Sequence, residues 1–245
     1  MSYKLIKHLS LRSNYGSKRI GKPKYIVWHY TGNKSDTVNG NLNFFRSGYR
    51  GASAHFFVDE KTVGASVPEG HVAWSVGGGR YSDYLQTGGA KYYNKCTNFN
   101  SISIEICASG NYKPSDKTME NVITLTKKLM NKYKIPASRV IRHFDVNGKH
   151  CPAWGCCSRS NILFYNKWHS KLTAKKIHTY GKKKGKYKVL KTPRVIRENA
   201  NVNSRAVGYI KDNGIYTITK ISGHYGYLKS GKGWINLRDD YVKKV

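Results

Sequence analysis

The order of hydrophobic and polar residues divides the chain into two regions of different character. In the first region, four short apolar runs predict β-strands at residues 25–30, 55–58, 102–107 and 140–144. Near the C-terminus, runs such as GIYTITKI and GYLKSGKGWINL alternate apolar and polar residues between Gly and Asn turns, which is typical of small all-β structure. The pattern therefore predicts an α/β domain followed by a small β domain.

One amphipathic helix is predicted between the last two strands of the first region. Ser115 follows Pro114 and can cap the helix, and Pro136 ends it. Apolar residues recur between these points at spacings of three, four and seven: Met119, Val122, Ile123, Leu129, Met130 and Tyr133. We expect this face to lie on the sheet.

A basic segment separates the two regions. Residues 173–197 carry ten Lys or Arg and no Asp or Glu, and the stretch TYGKKKGKY within them has the composition of an exposed connector. We place the domains at residues 1–172 and 188–245, with a basic linker at 173–187.

Composition narrows the class of protein. Among 245 residues, 44 are Lys or Arg and 13 are Asp or Glu, so the formal charge of +31 favours a polyanionic partner. At 39% hydrophobic and 13% aromatic, the chain has too much packing material for a disordered basic tail. No apolar run is long enough to span a membrane, and the N-terminus lacks signal-peptide features, so we expect a cytoplasmic origin without membrane insertion.

The chain has five cysteines, an odd number that does not suit a fully paired disulfide framework. At least one should be a thiol or a metal ligand, in a chain made in a reducing compartment. The spacing does not decide whether Cys96, Cys107, Cys156 and Cys157 are paired.

Two histidines and a cysteine could hold a metal ion. His29 and His143 each stand at the end of a predicted strand, and Cys151 follows His143 by eight residues. Imidazole nitrogen and thiolate sulfur suit Zn²⁺, and three protein ligands plus one water describe a catalytic site. A closed structural site of Cys151, Cys156, Cys157 and one His is the alternative, although adjacent cysteines are awkward ligands of one tetrahedral ion.

Two charged residues are candidates for catalysis. Alternation along residues 102–107 puts Glu105 on the face opposite three isoleucines, where it is either an ion-pair partner or a general base. Lys149, two residues before Cys151, is either a solvated loop residue or a group that stabilises an oxyanion.

These motifs resemble a known family. The segments YIVWHYTG, ASAHFFVD, NFNSISIEIC and RHFDVNGKHCPAW, in this order over residues 20–165, are similar to type 2 N-acetylmuramoyl-L-alanine amidases, which include amidase-type phage lysozymes and peptidoglycan recognition proteins. The resemblance implies a mixed sheet flanked by helices, zinc held by His29, His143 and Cys151, and cleavage of the amide between the lactyl group of N-acetylmuramic acid and L-alanine. It also implies that Glu105 is the catalytic base and that Lys149 is the family lysine.

One position departs from part of the family. Members that use an auxiliary tyrosine place it before the second-strand histidine, where this chain has Ala54. We therefore expect the glutamate mechanism and assign His55 a structural role. Residues 67–79 resemble the loop that borders the substrate groove, where Trp74 either lines the groove or is buried.

The last 50 or so residues resemble bacterial SH3 domains, which bind the cell wall in lysins. Tyr225, Tyr227 and Trp234 are the candidate contact residues, although the core is the expected place for Trp234. A spacer barrel without a ligand is the alternative.

Together these features favour a phage endolysin that digests peptidoglycan, with its basic charge directed to anionic wall polymers. Such a protein needs no signal peptide, because another phage protein releases it from the host cytoplasm to the wall. A catalytically inactive wall-recognition protein is one alternative. A nucleic-acid-binding protein would explain a pI near 10.0 but not the His, Cys and Glu pattern, so we expect no nucleic-acid partner.

Overall fold

The computed structural model describes residues 3–173 and 182–245, and it separates into two compact units, residues 1–173 and 174–245. Most of the predicted linker, residues 174–181, lies outside the described residues. The C-terminal end of the linker prediction is wrong, because a strand begins at Gly185. Tyr187 and Val189 are buried in that strand, so Lys186 and Lys188, which alternate with them, form its exposed face rather than a connector.

The first unit contains eight strands and five α-helices among its described residues. In chain order they are β1 (Lys4–Lys7), β2 (Tyr15–Lys18), β3 (Tyr25–Tyr30), α1 (Val38–Arg46), β4 (Phe56–Val58), β5 (Thr62–Ala65), β6 (His71–Ala73), α2 (Tyr84–Thr87), β7 (Ser101–Ile106), α3 (Asp116–Tyr133), β8 (Val140–Arg142), α4 (His143–Asn147) and α5 (Arg159–His169).

Six of these strands form one mixed sheet in the order β1-β5-β4-β7-β3-β8, in which β4 and β5 are antiparallel and the other neighbours are parallel. β2 and β6 form a separate antiparallel pair. Helices α3 and α5 cover one face of the six-stranded sheet, and α1 packs on the other. The predicted α/β class is confirmed as a mixed sheet between helical layers.

The predicted helix is confirmed as α3. The Ser115 hydroxyl accepts a hydrogen bond from the Thr118 amide at 3.2 Å, and Lys134 ends the helix in a left-handed conformation. Of the six residues predicted to face the sheet, four are buried, and Met130 and Tyr133 pack at the edge of the same core. In that core the Trp28 indole donates to the Thr126 hydroxyl at 3.1 Å.

Helix α1 was not predicted, and one glycine explains how it fits. A Cβ atom at Gly64 in β5 would lie 2.5 Å from Val38 Cγ1 and 2.8 Å from Leu42 Cδ1. The missing side chain therefore lets α1 pack directly on the sheet, beside Phe57 and Cys107. Thr37 caps the helix by accepting from the Gly40 amide.

The second unit is an antiparallel sheet of seven strands in the order β11-β10-β14-β13-β12-β9-β15. Its strands are β9 (Gly185–Val189), β10 (Arg194–Arg197), β11 (Ala206–Ile210), β12 (Ile215–Ser222), β13 (Tyr225–Leu228), β14 (Trp234–Asn236) and β15 (Val242–Lys244). The all-β prediction is confirmed for this unit, whereas its likeness to bacterial SH3 domains stays a prediction.

The core position predicted for Trp234 is wrong. Ile235 is fully buried, and Trp234 is half-buried outside the core because side chains alternate along β14. Trp234 lies opposite Tyr227 on the neighbouring strand, with ring centroids 5.1 Å apart. Among residues 3–173 and 182–245, no helix has the length and apolar character needed to cross a bilayer.

Candidate active site

The register of β3 and β7 places a histidine beside a carboxylate. The two strands are parallel neighbours, and His29 is paired directly with Glu105. Paired residues of neighbouring strands point to the same face, so His29 Nδ1 lies 4.0 Å from Glu105 Oε1. Both residues are near the carboxyl ends of their strands, the edge at which α/β sheets commonly bind ligands.

His143 reaches the same edge from the next strand. It is the first residue of α4, directly after β8, which ends at Arg142 instead of continuing to residue 144 as predicted. The reason is local: the Asp145 carboxylate accepts from the Arg142 amide at 2.8 Å and pairs with the Arg142 guanidinium, which begins a helical turn at His143.

The chain then turns back and brings a thiol to the histidines. Gly148 ends α4 with a φ of 87°, a left-handed conformation that favours glycine. The Phe144 amide donates to the Cys151 carbonyl at 2.7 Å, which fixes the returning segment against the helix. Cys151 thereby lies beside the first turn of α4.

His29, His143 and Cys151 form one buried cluster. One ligand atom from each residue lies within 4.8 Å of those of the other two. Cys151 Sγ is 3.7 Å from His29 Nδ1, and the rings of His29 and His143 are 4.8 Å apart. All three side chains are at least 95% buried.

Burial controls the protonation of these groups. Loss of hydration lowers the pKa of His29 well below 6.5 and that of His143 to about 3, and the Lys149 ammonium acts in the same direction. Burial raises the pKa of the Cys151 thiol, as does the nearby Glu105. Burial also raises the pKa of Glu105 to about 8, and Lys149 opposes this shift.

The donor set fits a zinc ion. Neutral imidazoles have the free lone pair that a metal needs. With Zn–N of about 2.0 Å and Zn–S of about 2.3 Å, a tetrahedral ion separates nitrogen and sulfur ligands by about 3.5 Å, close to the 3.7 Å between His29 Nδ1 and Cys151 Sγ. His143 Nε2 and Glu105 Oε2 are also buried without a hydrogen-bond partner among the described residues, as expected where a bound group completes the site.

The alternative four-ligand site receives no support from the described residues. The group of side chains there that could hold a metal ion contains Cys151 but neither Cys156 nor Cys157. Cys156 is buried, Cys157 is exposed, and their sulfurs contact each other.

A cavity of about 650 Å³ opens on the Glu105 side of the cluster. Its walls include Thr31, Asp36 and the rings of Phe44 and Phe57. Asp36 accepts from the Ala108 amide and the Asn41 amide side chain. Thr31, Asp36 and Phe44 were not predicted as site residues because they belong to α1 and the loop before it, where the possible helix cap at Thr37 was the available sequence signal.

A second cavity of about 480 Å³ lies on the His143 side of the cluster and is lined by His143, Lys149 and Trp74. Gly77, Gly78 and Gly79 from the 67–79 loop line it as well. Asn98 holds this loop by accepting from the amides of residues 75 and 76. Trp74 is half-buried and faces the cavity, so the structure brings the predicted loop and Lys149 to the same groove.

His55 is buried away from the cluster. Its Nδ1 accepts from the Ser103 amide at 3.0 Å, and its Nε2 lies 2.8 Å from Arg19 Nη2 and 3.1 Å from the His71 carbonyl. Burial, followed by the Arg19 charge, lowers the pKa of His55 to about 3. Both ring nitrogens have partners, as expected of a structural residue.

Comparison with known proteins agrees with this geometry. The model of the family N-acetylmuramoyl-L-alanine amidase matches residues 19–154, which include all five predicted site residues. The chain is 29% identical over 225 residues to the N-acetylmuramoyl-L-alanine amidase CwlA of Bacillus subtilis, covering 89% of this chain and 73% of that protein. It is 28% identical to CwlL of Bacillus licheniformis, covering 61% of this chain but only 41% of that amidase.

Solved structures share the fold of the first unit. The structure of PlyL is 26% identical and covers 71% of this chain and 98% of its own, with a TM-score of 0.53. A mutant endolysin from Bacillus subtilis covers 70% of this chain at 24% identity, with a TM-score of 0.55. The matched family model spans more than half of the sequence and contains the His, His, Cys cluster together with Glu105. The chain therefore belongs to the N-acetylmuramoyl-L-alanine amidase family.

Proposed function

We propose that this chain is a zinc-dependent N-acetylmuramoyl-L-alanine amidase that cleaves the amide between the lactyl group of N-acetylmuramic acid and L-alanine in peptidoglycan. The observation that carries the proposal is the buried His29, His143 and Cys151 cluster with Glu105 4.0 Å from His29. Zinc, when bound by these three side chains, would supply a Lewis acid that activates a water molecule at neutral pH.

Glu105 would be the proton carrier. Its carboxylate lies at the edge of the cluster, and 19% of its side chain remains exposed to the cavity, so water and substrate can reach it. It would take a proton from the attacking water and deliver it to the amine of the departing L-alanine.

Lys149 would stabilise the negative oxygen of the tetrahedral intermediate. Its side chain is exposed in the groove that His143 lines, and its charge already affects the pKa values of His29, His143 and Glu105. A flexible ammonium can follow a developing charge that is absent from the substrate ground state.

We further propose a role in phage lysis, with the second unit as an SH3-like wall-binding module. Residues 174–245 carry 18 Lys or Arg and 4 Asp or Glu, so anionic wall polymers are the expected partners. In this role the chain would collect in the host cytoplasm and reach the wall when the membrane is breached.

The test combines metal analysis with product analysis. In the double variant of His143→Ala and Cys151→Ser, we expect loss of bound zinc and loss of hydrolysis of soluble muropeptide, measured as newly formed L-alanine amino termini. His150→Ala is the matched control, because His150 adjoins Cys151 but is half-exposed and pairs with Asp83. Full activity of a metal-free preparation would refute zinc dependence. Wall binding without product, in the zinc-loaded parent, would instead favour an inactive recognition protein.

A further inference from the structure

Cys156 and Cys157 form a pair of thiols that the amidase site does not use. The Cys157 thiol donates to the Cys156 sulfur, and the two sulfurs are 2.8 Å apart. Neither belongs to the cluster of His29, His143 and Cys151. Cys156 is 1% exposed, whereas Cys157 is open to solvent.

The backbone holds the two thiols together. Cys156 is extended, and Cys157 has a φ of 67°, the left-handed region that non-glycine residues rarely adopt. This conformation allows successive side chains, which normally point apart in an extended segment, to meet.

Hydrogen bonds fix the segment on both sides of the pair. Upstream, the Arg142 guanidinium donates to the Gly155 carbonyl at 2.6 Å. Downstream, the Cys156 carbonyl accepts from the Ser158 amide at 2.9 Å and the Asn161 side chain at 3.3 Å, and Ser158 caps α5. The sulfurs are thus held in contact by the fold, so little further entropy is lost when they react with each other.

We propose that Cys156 and Cys157 form a reversible oxidation site that closes to a vicinal disulfide, with hydrogen peroxide or a small organic disulfide as the oxidant. The exposed Cys157 thiolate attacks the peroxide, becomes a sulfenic acid and releases hydroxide. The Cys156 thiol then displaces water from that sulfenic acid. The two sulfurs lose two electrons and two protons in total, and one peroxide is reduced to two waters.

The same pair resolves a mixed disulfide. If Cys157 attacks an organic disulfide such as glutathione disulfide, one thiol leaves and the other stays on Cys157. Cys156 then attacks Cys157 and releases the second thiol. Reduction by a dithiol restores the starting state. This proposal does not rest on the amidase activity, and either could hold without the other.

The test is peptide mapping of the full chain after oxidation under native conditions. Trypsin alone leaves Cys151, Cys156 and Cys157 together in the peptide from His150 to Arg159, so chymotrypsin is added to cut after Trp154. We expect the fragment 155–159 to be two hydrogen masses lighter after brief peroxide treatment and to return to its starting mass after reduction. Cys96 and Cys107, which are buried single thiols, should remain unmodified and serve as internal controls.

Two variants make the result decisive. With glutathione disulfide, Cys156→Ala should retain glutathione on Cys157 at a level at least about tenfold above the parent, because the resolving thiol is gone. Cys157→Ser changes an exposed atom, should fold normally, and should yield no disulfide in this fragment. If the parent accumulates stable glutathione or sulfinic acid on Cys157 and never the lighter fragment, the proposal is wrong.

Discussion

The two units differ in whether their polar side chains are buried or exposed. In the described part of the first unit, fourteen polar side chains are buried, among them His29, His55 and His143. The described part of the second unit has no buried polar side chain; its core consists of nine residues, all apolar except for the hydroxyl of Tyr187. Its charge lies outside, with 18 basic and 4 acidic residues among 174–245, against 26 and 9 among 1–173. The first unit holds reactive groups away from water, and the second presents positive charge to it.

This contrast predicts that loss of the half-buried Glu105 carboxylate stops hydrolysis without affecting wall binding. Glu105→Gln should lower the rate of muropeptide hydrolysis by about 100-fold or more, since the amide cannot carry the proton. Zinc content and sedimentation with cell walls should stay unchanged. Glu60→Gln, at an exposed glutamate, is the control. Near-normal hydrolysis by a folded Glu105→Gln would make the glutamate structural.

Removal of the second unit should weaken the action on intact walls and leave hydrolysis of soluble muropeptide unchanged. A chain ending at Thr173 keeps every candidate metal-ligating and catalytic residue, so we expect it to hydrolyse soluble muropeptide like the parent. Its lysis of intact walls should fall by about tenfold or more, because a tethered binding module raises the local concentration of enzyme at the wall.

The complementary fragment, residues 174–245, should sediment with walls at low salt and be released as salt screens its charge. If the fragment stays in solution while the truncated enzyme lyses walls at the parental rate, the second unit does not bind the wall.

The buried histidines should make the stability of the first unit sensitive to acid. His55 has its pKa lowered from 6.5 to about 3, so between these values the unfolded chain binds a proton that the folded chain does not. The free energy of unfolding therefore falls as pH drops below about 6.5, by about 2 kcal/mol at about pH 5 for one such residue.

The contribution of His55 to the free energy of unfolding can be isolated by denaturant unfolding. The parent and His55→Gln are each measured at about pH 7.5 and at about pH 5. The parent should lose about 2 kcal/mol more than the variant between the two conditions. Equal losses would mean that His55 is protonated in the folded chain.

The smallest expected effect concerns the surface of the second unit. Trp234 and Tyr227 form an aromatic pair outside the core, with Lys220 Nζ 5.4 Å from the Tyr227 ring. If this surface contacts the wall, Trp234→Ala should weaken sedimentation of the parent chain by about fivefold, the equivalent of about 1 kcal/mol.

Tyr209→Ala is the control, at a tyrosine that is 55% exposed on β11. A larger effect of the control than of Trp234→Ala, with both variants folded, would move the contact to the face of β11.

The sequence predicted the parts of the fold whose signals are local. Strand β3, strand β7 and helix α3 are long, strongly apolar or clearly capped, so periodicity located them to within one residue or so. Helix α1 was not predicted because its sequence, VNGNLNFFR, contains poor helix formers. It is stabilised instead by packing on β5 at Gly64, which has no side chain to obstruct the helix. Strand β1, with the sequence KLIK, is an edge strand whose surface is mostly exposed, so it has no strong apolar pattern.

The candidate site was predicted from residue types and from family resemblance, and the structure supplies the distances. Spacing alone could not decide between Cys151 by itself and a site that includes Cys156 and Cys157, because the turn at Gly148 and the left-handed Cys157 are tertiary features. The cavity beside Glu105 was equally inaccessible, since its walls come from α1, β4 and the loop after β3.

The pairing of His29 with Glu105 across β3 and β7 also determines which changes in strand length are compatible with activity. Because side chains alternate along a strand, a single-residue insertion or deletion before Glu105 that shifts the rest of β7 would turn its carboxylate toward Trp28 and helix α3. Isoleucines from the core would then face His29 and His143. Length changes in either strand should therefore be absent among active variants, even where single substitutions at neighbouring positions are accepted. Variation in length is left to the loops that border the groove.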